Sequence, residues 1–204
     1  MPKPRRIYAM LVAALLLSLP AAAAPVADTE RAPLDLRRTT LIVRDMETSL
    51  RFYRDALKMA VAYDQVIRTP RDATSDEAAT RSLRLVLLRA NDDFIGMIGL
   101  IQYYKPQKPL PAAPLEPFSI GSMVFVFNAT NARELFAEAR RLPGVRVIEE
   151  PTPTSYPGYG GVGTIPVIVS VLTDPDGYVV ELNELLATPG RQQPADDQSS
   201  PPKR

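Results

Sequence analysis

Two stretches of the chain run through the same order of hydrophobic patterns. In the first, Thr39 to Arg44 is apolar and β-branched. Asp45 then stands as a helix N-cap, with Met46, Leu50, Tyr53 and Leu57 on one helical face. Three strand patterns follow: Val61 to Ile67, the alternating run around Leu83, Leu85 and Leu87, and Phe94 to Tyr103. The Leu83 run reads as buried mostly on one side. In the second stretch, Gly121 to Asn128 is a strand. Asn131 to Leu142 is a helix whose Asn131 and Glu134 have capping-box spacing. Val145 to Ile148, Val167 to Leu172 and Tyr178 to Leu182 complete it as strands. Placing Val43-Arg44-Asp45 over Phe127-Asn128-Ala129 brings Phe52 over Phe136, an offset of about 84 residues. Each half therefore reads strand, helix, three strands. Neither half covers its own sheet well enough to stand alone, so the two should pair. The expected fold class is α+β: two βαβββ modules joined into one curved, cupped mixed sheet with the helices outside. A concave face between repeats is a natural ligand pocket.

The segments around this core differ in composition. Lys3, Arg5 and Arg6 precede an apolar stretch from Ile7 to Leu19, then Pro20 and the small-residue run Ala21-Ala22-Ala23-Ala24. That pattern predicts a signal peptide over 1–24 and a periplasmic or secreted protein, with no stable membrane insertion after cleavage. Residues 25–36 read as a linker. The expected domain is 37–187, with module one at 37–105, a proline-rich connector at 106–117 and module two at 118–187. Residues 188–204 are polar and proline-rich, too poor in apolar surface to offset their ordering entropy, and are expected to be disordered. Between the strands, Arg68 to Thr80 and Pro151 to Thr164 read as loops. Asp174-Pro175-Asp176-Gly177 is a strong turn sequence.

Two absences bound the chemistry. The chain has no cysteine, which excludes disulfides and thiolate catalysis. It also has no histidine, the commonest general base near neutral pH and the commonest transition-metal ligand. The formal charge of +1 includes the three leader cations, so the remainder is slightly acidic and carries no electrostatic footprint for nucleic acid.

The run Ser49-Leu50-Arg51-Phe52-Tyr53-Arg54-Asp55-Ala56-Leu57, following Thr40 to Asp45, resembles the opening of the vicinal-oxygen-chelate superfamily. Its members include glyoxalase I, extradiol dioxygenases and bleomycin-resistance proteins. Asp174-Pro175-Asp176-Gly177-Tyr178-Val179-Val180-Glu181-Leu182 resembles that family's last hairpin. The resemblance implies paired βαβββ modules around a cupped sheet. It also implies a divalent metal held from four strands, mostly by His and Glu. Carried over residue by residue, those positions fall at Arg38, Gly99, Ser122 and Glu181. An arginine, a glycine, a serine and one glutamate do not make a transition-metal site, and no histidine exists to be recovered by shifting the alignment. The expectation is that the metal has been lost and that no cofactor is bound.

The remaining polar residues carry two readings each. Arg38 and Glu181 are either an ion pair that orients a polar ligand or a salt bridge filling the vacated metal site. Gln102 and Arg89 are strand residues, read as ligand contacts or as solvated edge positions. Tyr156 and Tyr159 lie among glycines in one loop, a hinged lid or an ordinary mobile loop. Tyr103 and Tyr104 close a rim or merely cap a strand. Asp174 and Asp176 fit a hairpin turn better than a calcium loop. Ser122 and Ser170 lack a histidine base, and Lys58, Lys105 and Lys108 sit at a helix end and in the connector. The leading expectation is an exported, metal-free small-molecule binding protein, with Arg38, Gln102, Ser122, Tyr156, Tyr159 and Glu181 as ligand contacts. The second is a divergent lyase, isomerase or dioxygenase-like enzyme using Glu181, the candidate catalytic group, with other carboxylates. The third is a protein-interaction module. The partner expected is a small molecule and not nucleic acid, and a homodimer is left open.

Overall fold

The computed structural model describes residues 28–110, 116–158 and 163–186. The expected signal peptide, the start of the linker, Tyr159 and the tail 188–204 lie outside the described residues. No helix among the described residues is long and apolar enough to cross a membrane.

The first module opens with β1 (Arg38–Ile42) and α1 (Met46–Leu50). Asp45 holds extended backbone angles, and its Oδ1 accepts from the Thr48 amide at 2.8 Å, which closes the first turn of α1. The helix continues as a π-helical turn, Arg51–Ala56, in which the Leu57 amide reaches back to the Phe52 carbonyl. β2 (Ala60–Thr69), β3 (Arg81–Arg89) and β4 (Met97–Lys105) follow. The second module repeats the order with β5 (Val124–Asn128), α2 (Ala132–Ala139), β6 (Arg146–Pro157), β7 (Thr164–Thr173) and β8 (Val179–Leu185). Each module makes a four-stranded mixed sheet, in the order β1-β4-β3-β2 and β5-β8-β7-β6. In both, the first strand pairs parallel to the last and the other neighbours are antiparallel. The two βαβββ modules are therefore alike in topology as well as in sequence pattern.

One hydrophobic core serves both modules. Leu41, Phe52, Tyr53, Val86 and Leu100 of the first pack in the same cluster as Phe125, Phe136, Ala139, Leu172 and Val180 of the second. Each large apolar side chain taken out of water contributes roughly 1.5–3 kcal/mol. The helices of the two modules meet here, Phe52 and Tyr53 packing in the same cluster as Phe136 and Ala139. A smaller cluster of Val167, Val169, Val171 and Val179 lies on the opposite face of the second sheet.

Polar contacts fix how the modules meet, and most come from one turn. Asp174 Oδ1 accepts from the amides of Asp176 and Tyr178, both at 2.9 Å, and Gly177 takes φ +99°, which a side chain would strain. Asp174 Oδ2 then reaches across to accept from the Tyr53 hydroxyl at 2.9 Å. Asp176 accepts from the Arg44 amide at 3.1 Å and guanidinium at 2.7 Å, and from the Ser49 hydroxyl. Arg44 also donates to the Pro175 carbonyl, and the Tyr178 hydroxyl donates to the Ile42 carbonyl. Lys58 and Glu138 join the helices' outer ends at 2.6 Å.

Four local expectations are corrected. The Leu83 run is buried on both faces of its sheet, not mostly on one: Val86 and Leu88 enter the shared core, and Leu83 and Leu87 are buried on the opposite side. The fourth strand starts at Met97, since Asp92 accepts from the Phe94 and Ile95 amides and holds them in a turn. The Asn131 side chain makes no cap bond, and Glu184 from β8 accepts the Ala132 amide instead. Most of the expected loop 151–164 is strand: β6 runs to Pro157 and pairs with β7.

Burial dominates the state of Asp174. Loss of solvation pushes its carboxyl up to about 6, against the amide and Tyr53 hydrogen bonds that pull it down. A raised folded-state value means the folded protein binds the proton more tightly than the unfolded chain. The associated stability is complete below about pH 4 and is lost as pH rises through about 6. Asp174→Asn keeps an amide acceptor and removes the titration. The stability difference between wild type and this variant, from urea denaturation, is expected to fall by roughly 2–3 kcal/mol between pH 4 and 7. A difference that stays flat would exclude burial of the carboxylate as the cause.

Candidate functional site

Side-chain alternation along the strands assigns the second sheet's inner face. Val180 and Leu182 point into the shared core, so Val179, Glu181 and Asn183 project from the other side. The register then places Val126, Glu181, Val171 and Glu149 in one row across β5, β8, β7 and β6. Tyr156 lies on this same face of β6, opposite Ile165. Its hydroxyl is pushed up by burial, then by the charges of Glu181 and Glu149. The Tyr156 hydroxyl therefore stays protonated and can donate a hydrogen bond. Glu181 accepts from the Asn183 amide nitrogen at 2.7 Å, while the Asn183 carbonyl oxygen is buried and has no partner among the described residues. Sequence reasoning missed Glu149 and Asn183. Glu149 was hidden because β6 read as a short strand running into a loop. Asn183 was hidden because it falls just beyond the hairpin motif.

The other predicted contacts are dispersed. Arg38 opens β1 opposite Met97, in the other sheet. Arg38 and Glu181 form no ion pair among the described residues, and Asn183 occupies the Glu181 carboxylate instead. Ser122 precedes β5 and donates its hydroxyl to the Ser119 carbonyl at 2.8 Å. Gln102 is a clamp: its carbonyl accepts from the Met46 amide at 2.9 Å and its amide donates to the Arg44 carbonyl at 3.2 Å. Arg89 pairs with Asp93 at 2.8 Å. Tyr159 lies outside the described residues.

The four positions that the resemblance assigned to metal donors do not fit a divalent cation. Arg38 is itself a cation. A Cβ built on Gly99 would stand 2.8 Å from Thr40 Oγ1, so the backbone there is packed against a neighbouring side chain. Ser122 is turned into its own loop, which leaves Glu181 as the single carboxylate. Among the described residues no three acidic side chains gather as a donor set.

A cavity of about 780 Å³ opens instead where the modules meet. Its walls are the ends of β1 and β4 (Ile42, Val43, Arg44, Gln102, Tyr103, Tyr104), the connector from Gln107 to Leu110, and the turn Pro175 to Tyr178. Gly144, Arg146 and Thr173 complete it. That volume is within the usual range for small-molecule sites, about 300–1,000 Å³. Of the predicted contact residues that are described, Gln102 alone lines it.

Comparison with known proteins yields one family match. A family model described as Glyoxalase/Bleomycin resistance protein/Dioxygenase superfamily matches residues 35–182. No curated protein matches the chain. Among solved structures, a glyoxalase family protein from Bacillus cereus superposes with a TM-score of 0.59 at 10% identity, covering 79% of this chain and 100% of that one. Glyoxalase I from Leishmania major, described as trypanothione-dependent, gives 0.46 at 20% identity over 74% of this chain and 86% of its own. An antibiotic binding protein from a Streptomyces species gives 0.45 at 18% identity over 76% and 98%.

Gln102 links the cavity wall to the start of α1, so its loss should be read in stability. Gln102→Ala leaves a backbone amide and a carbonyl without their partner and is expected to cost about 1–3 kcal/mol. Urea denaturation checks this. A cost below about 0.5 kcal/mol would mean that water replaces the clamp freely.

Proposed function

The chain belongs to the glyoxalase/bleomycin resistance protein/dioxygenase superfamily, and from that premise we propose that it is an exported protein that binds a small organic molecule without a divalent metal. The observation that carries the reading is the chemistry at the family's metal positions. Arg38, Gly99, Ser122 and Glu181 offer one carboxylate, and a hard or borderline cation needs several donors. The concave architecture is nevertheless kept, with a ligand-sized cavity at the module junction. Inner-face polar groups remain on the second sheet: Tyr156 as a donor, with Glu181 and the unpartnered Asn183 oxygen as acceptors. A buried acceptor without a partner costs about 1–3 kcal/mol, so a ligand or water that donates to Asn183 would be held firmly. The basic and apolar leader over 1–24 supports export to the periplasm or beyond.

Native mass spectrometry with elemental analysis tests this on the mature protein purified from its own compartment. The expected result is a polypeptide mass carrying a dissociable organic adduct and no stoichiometric metal after dialysis; the bare polypeptide mass alone would count against small-molecule binding. Zinc, nickel, iron or manganese retained at one equivalent would overturn the reading. Glu181→Gln, which removes the one carboxylate, is expected to leave metal content unchanged.

A further inference from the structure

The junction cavity is positively charged. Asp176 is the acid on its wall, and its two oxygens already accept from Arg44 and Ser49. Arg44 is balanced by the same contact. Lys108 and Arg146 also line the cavity, and neither has an acidic partner among the described residues. The Lys108 ammonium stands 4.6 Å from the centre of the Tyr103 ring, a cation–π contact that places it without neutralising it. The Arg146 backbone is fixed by its amide bond to Thr173 Oγ1 at the start of β6. Two uncompensated cations in a concavity walled by protein focus positive potential on whatever enters. The wall also includes Tyr103, Tyr104 and Tyr178, with Ile42 and Leu110.

We propose that this cavity binds a small organic anion with an aromatic body, its acidic group met by Arg146 and Lys108 and its ring by the tyrosines. The proposal rests on the small-molecule reading above and names its site and ligand class. The site is separate from the family's metal positions, since Arg38, Gly99, Ser122 and Glu181 are all absent from its wall. Ile42, which does line it, is four residues beyond Arg38 in β1, about 13 Å along an extended strand. Arginine suits the role because its planar fork meets a carboxylate with two parallel bonds.

The chain has no tryptophan, so naphthalene fluorescence can be followed against a weak protein background. Binding of 2-naphthoate and of the neutral, equally large 2-naphthamide is measured with the full mature protein and with Arg146→Gln and Lys108→Gln. Neither residue has an ion pair among the described residues, so both variants should keep the wild-type melting temperature, which is measured alongside. The expected pattern is that naphthoate binds at least about tenfold more tightly than naphthamide. Each variant should weaken naphthoate by about five- to tenfold and leave naphthamide unchanged. Equal affinity for both probes, or naphthoate binding indifferent to both substitutions, overturns the anion assignment while leaving small-molecule binding intact. No naphthoate binding at millimolar concentration by the folded protein also overturns it. The small-molecule reading is judged separately, by the metal content and the retained organic mass in the native spectrum.

Discussion

The contact between the Tyr53 hydroxyl and the Asp174 carboxylate holds the two modules in one arrangement. Both groups are fully buried, one in the helix of the first module and the other in the last turn of the second. A buried carboxylate is tolerated only where its lone pairs are satisfied, and Asp174 has three donors: two amides of its own turn and the phenol across the junction. Desolvation also pushes the Tyr53 hydroxyl up, followed by the charge of Asp174, so the tyrosine stays a donor. The apolar core supplies most of the free energy of association and is non-directional. Direction comes from this bond and from the Arg44–Asp176 pair beside it.

The same turn forms a wall of the junction cavity, which links the way the modules are fastened to the way a ligand would be received. Pro175 to Tyr178 face the ends of β1 and β4 because Asp174 and Asp176 are tied to α1 and its entry. The four positions that the resemblance assigned to metal donors, Arg38, Gly99, Ser122 and Glu181, do not line this cavity. Among the described residues, the polar contacts that fasten the halves involve none of Arg38, Gly99, Ser122 and Glu181.

The architecture was legible because its signals are local. The repeat rests on hydrophobic period, and the Asp-Pro-Asp-Gly turn rests on Asx and glycine chemistry at fixed offsets. β6 was not legible. Pro151, Pro153 and Pro157 read as strand breakers, yet β6 is the edge of its sheet, where a missing amide hydrogen costs no ladder bond on the open side. The α2 cap was misread for a different reason: Glu184 lies 52 residues from Ala132, and only the folded sheet brings it there. At the candidate site, Tyr156 and Glu181 were foreseen and share a face, whereas Glu149 depended on the unread half of β6. Arg146 and Lys108 carry no motif. What singles them out is that neither pairs with an acid among the described residues, a property of tertiary arrangement that spacing along the chain does not encode.

A double-mutant cycle on Tyr53→Phe and Asp174→Ala is the most direct measurement of the junction on which this account depends. Stabilities of the four proteins, taken by urea denaturation at pH 7, should give a coupling energy of about 1–3 kcal/mol. A coupling indistinguishable from zero would mean that phenol and carboxylate do not meet, and the assembly of the two modules described here would be wrong.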